Sequence, residues 1–148
     1  MGITMRIPRD ARLGPSAVLY AWIAVGSGIG GVARFWCAEI SARLFGEGFP
    51  WGILLVNVAG SLLIGFFFTC SGPNGRLAVS TTTRQFVMTG LCGGYTTFSA
   101  FSLDTLNLMR DGRLFAAGAN VVLSLALCLL FVWLGHVLAA TLNRPARG

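Results

Sequence analysis

Lysine is absent from this sequence, and charged residues of any kind are few. Only 11% of the 148 residues are charged, whereas about a quarter are charged in an average soluble domain. Five acidic residues and a single histidine leave no carboxylate pair, no nucleophile with an adjacent base and no phosphate-binding loop. These absences exclude an ordinary water-soluble domain and predict that the protein is not an enzyme.

The four cysteines also lack the spacing of a metal site. They form no CxxC pair, have no flanking histidine and fall in different apolar segments. We interpret Cys37, Cys70, Cys92 and Cys128 as small hydrophobic residues buried in lipid, and not as disulfide or metal ligands. The net charge of +6, carried by 11 arginines, lies at the ends of apolar segments and not along one stripe, so no nucleic-acid partner is expected.

Long hydrophobic runs make up most of the chain. Hydrophobic residues account for 55% of it, and four runs carry no charge. These runs are 16–33, 48–75, 85–103 and 114–143. A helix crosses a bilayer with roughly 20 apolar residues, so the sequence predicts an all-α, four-span transmembrane helical bundle in the lipid bilayer. The predicted domains are a basic N-terminal tail (1–16), the four-helix domain (17–143) and a short C-terminal tail (144–148).

The third run is unusual for a lipid-facing helix. Its segment 90–102, Gly-Leu-Cys-Gly-Gly-Tyr-Thr-Thr-Phe-Ser-Ala-Phe-Ser, is rich in glycine, serine and threonine. Glycine lowers helical preference, and broken helices at membrane depth persist only inside protein or beside a water-filled site. We predict a broken third helix with its break near Gly93–Gly94, where freed carbonyl oxygens can bind a small hard cation. A glycine kink that only permits close packing is the alternative.

The other spans carry polar residues that need partners. Asn57 in the second span must find a hydrogen-bond partner or a wet cavity, or it joins two helices with a gain of about 1 kcal/mol. In the fourth span Asn120, Ser124 and Cys128 follow one another at i+4 steps and form one polar stripe. Arg34 in the first span either snorkels to the headgroups or is an intramembrane charge with a functional partner.

Phe98 and Phe101 lie three positions apart on one helical face. Ring edges are electropositive, so two of them in a narrow dry cleft can stabilise a small anion, although plain packing is the commoner role of such a pair. A bundle of four helices has little room for a water column, so the polar stripes predict a homo-oligomer. With no titratable acid well inside the spans, a passive pore fits better than proton-coupled exchange.

Three motifs resemble those of the Fluc (CrcB) fluoride channel family, and the similarity covers residues 20–140. They are Gly-Gly-Val-Ala-Arg-Phe at 30–35, Trp-Gly-Ile-Leu-Leu-Val-Asn-Val-Ala-Gly-Ser at 51–61, and the 90–102 segment, which is highly specific to the family. The resemblance implies a fluoride-selective passive ion channel that exports fluoride from the cytoplasm and confers fluoride resistance. It also implies a multi-pass protein of the plasma (inner) membrane.

The resemblance further implies an antiparallel dual-topology homodimer with two fluoride pathways along the subunit interface. A structural sodium ion, Na+, which is not transported, would lie at the dimer interface on the backbone carbonyls of Gly93 and Thr96 from both subunits. The fluoride pathway implied for this chain consists of Asn57, Thr97, Phe98, Ser99, Phe101, Ser124 and Arg34. In it Asn57 would be a pore-facing donor, the two phenylalanines would present ring edges, and Arg34 would be a cation near the vestibule.

The sequence departs from the family pattern at three positions. Ile53 and Ala100 stand where many relatives have threonine or serine, and Asn120 stands where tyrosine can occur. The arginines are also unequal between the two sides that four spans create. Arg6, Arg9, Arg12, Arg76, Arg84, Arg144 and Arg147 lie on the side of the tails, and Arg43, Arg110 and Arg113 lie on the other. Dual topology needs near balance, so either the tail arginines have little effect on insertion or an oppositely inserted relative is the partner.

Two other functions are compatible with four apolar spans. A small multidrug exporter depends on an acidic residue within its first span, and the nearest here, Glu39, follows Arg34 toward the membrane edge. A non-transporting membrane scaffold explains packing glycines but not the glycine–threonine segment beside two phenylalanines. The sequence therefore favours the channel.

Overall fold

The computed structural model describes residues 14–73 and 75–143, and all regular structure within them is helical, as predicted. In chain order the elements are α1 (Gly14–Phe45), α2 (Trp51–Cys70), α3 (Thr81–Gln85), a π-helical segment (Phe86–Cys92), α4 (Gly93–Tyr95), α5 (Phe98–Arg110) and α6 (Leu114–Asn143). The first residues of α1 fall within the predicted N-terminal tail. Residues 1–13 of that tail, and the C-terminal tail 144–148, lie outside the described residues.

Three helices are long and apolar enough to cross a membrane. They are α1 over Ala17–Phe45, α2 and α6, and each coincides with a predicted span because its sequence is apolar almost throughout. The span predicted from the run 85–103 is not a single helix of this kind in the part of the chain that the structure describes. It is divided between shorter helical pieces.

The pieces of this third segment form two helical stretches. α3, the π-helical segment and α4 follow one another without a gap, and we refer to residues 81–95 as the composite helix. It ends because Thr96 (ψ 157°) and Thr97 (ψ 122°) have extended backbone, a conformation that β-branched residues favour. The break was predicted near Gly93–Gly94; both glycines are helical, with Gly94 close against the backbone of α1, and the extended residues follow two positions later.

Contacts at the two ends of the bundle define the course of the third segment. At one end the Arg76 backbone N–H donates to Asn143 Oδ1 (3.1 Å), and Asn143 Nδ2 donates to the Thr69 carbonyl (3.2 Å). At the other end the Arg113 guanidinium donates to the Gly48 carbonyl. The composite helix and α5 therefore run together from one end of the bundle to the other.

Glycines allow neighbouring helices to touch through their backbones. A Cβ atom added at Gly94 would lie 2.7 Å from the Ser27 Cα of α1, and Gly65 and Gly135 bring α2 and α6 together in the same way. Such close approach is typical of membrane helices, because the hydrophobic effect does not drive their association in lipid and close packing must do so. The outward faces of α1 and α6 carry exposed apolar side chains such as Val32, as expected of helices that contact lipid.

The cysteines are distributed over α1, α2, the π-helical segment and α6, and each is a free thiol. Cys70 and Cys92 are buried, as predicted, whereas Cys37 and Cys128 are only half-buried. The two half-buried thiols lie on α1 and α6, whose outer faces carry exposed apolar side chains.

Candidate functional site

An open cleft of about 290 Å³ lies where α2, the composite helix, α5 and α6 meet. Most of the predicted site residues line it: Asn57, Gly93, Thr96, Thr97, Phe98, Phe101 and Ser124. The rest of its wall is formed by small or apolar residues from the same elements. No carboxylate and no arginine is among the described residues that line this cleft.

Asn57 binds the extended backbone that separates the composite helix from α5. Its Oδ1 accepts a hydrogen bond from the Thr97 N–H (2.8 Å), and its Nδ2 donates to the Thr97 carbonyl (3.0 Å). One side-chain amide thus pairs with both polar groups of one residue, 40 positions further along the chain. This contact supplies the hydrogen-bond partner that an amide within an apolar helix needs.

The two threonines of the extended segment make different local contacts. Thr97 is the N-cap of α5, because its Oγ1 accepts a hydrogen bond from the Ala100 N–H (3.2 Å). The Thr96 N–H and Oγ1 both donate to the Cys92 carbonyl, each at 3.0 Å. The Thr96 methyl group lies against Gly60, where the Cβ of any larger residue would overlap it.

The composite helix ends beside the cleft, which Gly93 and Thr96 line. The last helical carbonyls of any helix lack an intrahelical N–H partner, and the composite helix ends inside the bundle, beside Gly93 and Thr96. Small hard cations prefer oxygen ligands, including the carbonyls of interrupted membrane helices. The donor atoms predicted for sodium therefore have the right chemistry for that ion.

The rings of Phe98 and Phe101 are in contact, with centroids 5.2 Å apart and planes inclined by 52°. Phe101 is buried at 8% exposure, whereas Phe98 is 73% exposed. Packing within one copy of the chain accounts for Phe101 but leaves Phe98 uncovered. The open side of the cleft thus carries a large aromatic side chain.

The polar stripe of α6 meets α5 through a residue that the sequence analysis missed. Asn120 Nδ2 donates to Thr105 Oγ1 (2.9 Å), which in turn donates to the Phe101 carbonyl (2.8 Å). Ser124 Oγ, which lines the cleft, makes a long contact of 3.5 Å with Asn120 Oδ1. The signal for Thr105 was available, because Phe98, Phe101 and Thr105 have the i, i+3, i+7 spacing of one helical face.

Two predicted pathway residues do not line the cleft. Ser99 lies beside it, with its Oγ 3.1 Å from Thr97 Oγ1. Arg34 is half-buried on α1 and is not among the residues of the cleft wall. The nearby carboxylate of Glu39 pairs with Arg43 at 2.6 Å and not with Arg34. The two alternatives for Arg34 therefore stay open.

The sequence is similar to a known family over most of its length. The family described as CrcB-like protein, Camphor Resistance (CrcB), matches residues 21–136. The chain is 58% identical over 125 residues to a "Fluoride-specific ion channel FluC" of Opitutus terrae and 56% identical over 125 residues to one of Methylocella silvestris; each match covers 84% of this chain and 95% of the relative. It is 48% identical over 143 residues to "Fluoride-specific ion channel FluC 1" of Bradyrhizobium diazoefficiens, covering 97% of this chain and 99% of that protein.

Proposed function

The chain belongs to the CrcB family, and on this premise we propose that it is a fluoride-selective passive ion channel that exports fluoride from the cytoplasm. Membership confirms the family resemblance that the three sequence motifs indicated. Because the relatives are named ion channels, the prediction that the chain is not an enzyme is also confirmed. The protein is a multi-pass membrane protein, and we propose the plasma (inner) membrane as its location, where export lowers internal fluoride and confers resistance.

The chemistry of the cleft is the observation that carries this proposal. Its wall contains an amide, hydroxyls and two aromatic rings, contributed by Asn57, Thr97, Ser124, Phe98 and Phe101. Fluoride is small and strongly hydrated, so a pore must replace its water with N–H, O–H and ring-edge dipoles without binding it too tightly. The described cleft wall offers such dipoles and no arginine that would hold the anion.

The open side of the cleft supports a dimer. The cleft holds about 290 Å³, many times the roughly 30 Å³ that one water molecule occupies in the liquid, and it is open on one side. The exposed ring of Phe98 borders the opening. We propose that a second copy covers it in an antiparallel, dual-topology homodimer; an oppositely inserted relative is the alternative partner.

The arginines of the helical region are compatible with insertion in both orientations. Within the described residues, Arg76 and Arg84 lie at one end of the bundle, and Arg43, Arg110 and Arg113 lie at the other. The imbalance noted in the sequence therefore comes from the tails and not from the loops between helices. Arginine bias counts most strongly in short loops beside membrane spans, and here those loops are nearly balanced.

A structural sodium ion is part of the proposal. The carbonyls of Gly93 and Thr96, at the end of the composite helix, would hold it together with the same groups of the second subunit. When bound, the ion supplies a fixed positive charge that ties the interrupted helices of the two copies together. The ion is not transported, because it serves the fold of the dimer and not the pathway of the anion.

Export by such a channel needs no pump. A cell interior that is negative by about 100 mV drives a monovalent anion outward with about 2.3 kcal/mol. The absence of a carboxylate from the described cleft wall agrees with conduction that is not coupled to protons. The membrane potential alone is sufficient to lower internal fluoride.

The experiment is fluoride efflux from liposomes that contain the purified protein and potassium fluoride. Valinomycin is added so that potassium leaves with the fluoride and no opposing voltage develops. A fluoride electrode measures the efflux. Liposomes loaded with potassium chloride, and liposomes without protein, are the controls. We expect rapid fluoride release without chloride release. A preparation that is a folded dimer by size-exclusion chromatography and releases no fluoride would contradict the proposed function, as would equal release of both anions.

A further inference from the structure

The extended segment sends two backbone N–H groups away from the partners that a continuous helix would give them. In an α-helix each N–H donates to the carbonyl four residues earlier, so Thr97 would donate to Gly93 and Ala100 would donate to Thr96. Instead the Thr97 N–H donates to Asn57 Oδ1 (2.8 Å), and the Ala100 N–H donates to Thr97 Oγ1 (3.2 Å). Each redirected N–H leaves one carbonyl without its helical donor.

We propose that Asn57 and Thr97 are positioning residues that keep the carbonyl oxygens of Gly93 and Thr96 free to bind a small hard cation. This inference rests on the proposed sodium site, because these are the two carbonyls assigned to the ion. The two side-chain oxygens accept the N–H groups that would otherwise occupy those carbonyls. A carbonyl that accepts no hydrogen bond retains its lone pairs for a cation.

Three further contacts hold this arrangement in place. Asn57 binds Thr97 at two points, since Nδ2 also donates to the Thr97 carbonyl (3.0 Å). The Thr96 N–H and hydroxyl are both committed to the Cys92 carbonyl, so neither competes for the Gly93 oxygen. Gly60 admits the Thr96 methyl group against α2. The backbone at Thr96 is therefore fixed on both sides.

This role changes what Asn57 can contribute to the anion pathway. A side-chain amide has two N–H groups and one carbonyl, and the contacts with Thr97 use the carbonyl and one N–H. One N–H at most remains for an anion in the cleft. Substitution of Asn57 is therefore expected to alter sodium binding as well as fluoride flux.

The test compares Thr97→Val with Thr97→Ser in the full-length protein purified in detergent. Valine has the shape of threonine but no acceptor, so the Ala100 N–H is free to return to the Thr96 carbonyl; serine keeps the acceptor. The thermal unfolding midpoint is measured at increasing concentrations of sodium chloride, with N-methylglucamine chloride replacing sodium at constant ionic strength. A ligand that binds the folded state raises the midpoint in a way that gives its apparent affinity.

We expect Thr97→Val to weaken the apparent sodium affinity about tenfold or more, the range found for groups that orient metal ligands, and Thr97→Ser to keep the affinity of the unchanged protein. A purely structural N-cap would lower the midpoint equally with and without sodium. Equal sodium affinity in the three proteins would overturn the proposal. If Thr97→Val does not fold, Thr97→Ala takes its place, because alanine also lacks the acceptor for the Ala100 N–H. Weakened sodium affinity in that variant supports the proposal, and unchanged affinity overturns it.

Measurements on the unchanged protein distinguish failure of the proposed channel from failure of the proposed cation site. Fluoride efflux without any sodium-dependent shift would leave the channel in place and overturn both the cation site and the positioning role. A sodium-dependent shift without fluoride efflux would overturn the channel, and the Thr97 comparison would still decide whether Asn57 and Thr97 position the cation ligands.

Discussion

Gly26 of α1 and Gly90 of the π-helical segment meet backbone to backbone, so a Cβ atom at Gly90 would lie 3.1 Å from the Gly26 Cα. A Cβ at Gly26 would lie 2.8 Å from the Phe86 carbonyl oxygen. This contact brings the composite helix against α1, and Gly93 near the end of the composite helix lines the cleft. The packing of α1 against the composite helix therefore helps to position the candidate site, although α1 is distant in sequence from the residues of the cleft.

Gly26→Ala is predicted to destabilise the protein. The added methyl group has no space and must separate two backbones, at a cost of about 1–3 kcal/mol. Gly28→Ala is the matched control on the same helix, because nothing lies within 4 Å of a Cβ there. We expect Gly28→Ala to be neutral or slightly stabilising, since alanine favours a helix. Thermal unfolding in detergent compares the two, and equal midpoints would contradict the close approach.

Phe98→Ile is predicted to reduce fluoride flux. It is expected to cost the fold of a single subunit little stability, because Phe98 is exposed within one chain. A contact as strong as an aromatic pair, about 0.5–1.5 kcal/mol, corresponds to a flux decrease of up to about tenfold when it is lost. Phe101→Ile is predicted to reduce flux as well, and its buried position adds a packing cost below about 1.5 kcal/mol. Efflux from liposomes at equal protein content is the measurement.

Phe115→Ile is the control for the phenylalanine variants. Phe115 is 92% exposed at the start of α6 and does not line the cleft, so the same chemical change there is expected to leave flux unaltered. Full flux in both Phe98→Ile and Phe101→Ile would show that the ring edges are not part of the fluoride pathway. Equal loss in all three variants would show that flux responds to ring removal in general.

Thr105→Val is predicted to lower stability by about 1–3 kcal/mol, because it leaves the Asn120 amide without its acceptor. Asn120→Leu is predicted to cost less, because the Thr105 hydroxyl still donates to the Phe101 carbonyl. Asn120 is only 2% exposed, so water cannot replace its bond to Thr105. In the double variant both polar groups are gone, and replacing both partners with apolar groups is far less costly. We therefore expect the double variant to be more stable than the sum of the single effects predicts. Additive losses would show that the 2.9 Å contact does not couple the two residues.

The sequence predicted the long helices well and the site only in outline. α1, α2 and α6 were predictable because their residues are apolar almost throughout, and the glycine-rich composition identified the interrupted segment. Its exact position was missed because the interruption is set by threonine backbones and by the side chain of Asn57, and not by the glycines. The partner of Asn57 lies 40 positions away, a distance at which no local pattern connects two residues. Thr105 was overlooked although it shares the helical face of Phe98 and Phe101, because that spacing does not show which residue of another helix it contacts.

The near balance of arginines in the helical region predicts that single chains insert in both orientations. Two reporters are fused to the C-terminus in separate experiments, one active only in the cytoplasm and one active only outside the cell. Both are expected to give a signal. Substituting Arg110 and Arg113 with glutamine removes positive charge from the end opposite Arg76 and Arg84, so most chains should then insert with that end outside. Antiparallel pairing requires both orientations, and fluoride flux in cells should fall with the loss of one of them. Insertion of the unchanged chain in a single orientation would contradict the homodimer and point to an oppositely inserted relative, because a cleft that remains open on one side cannot strip fluoride of its water.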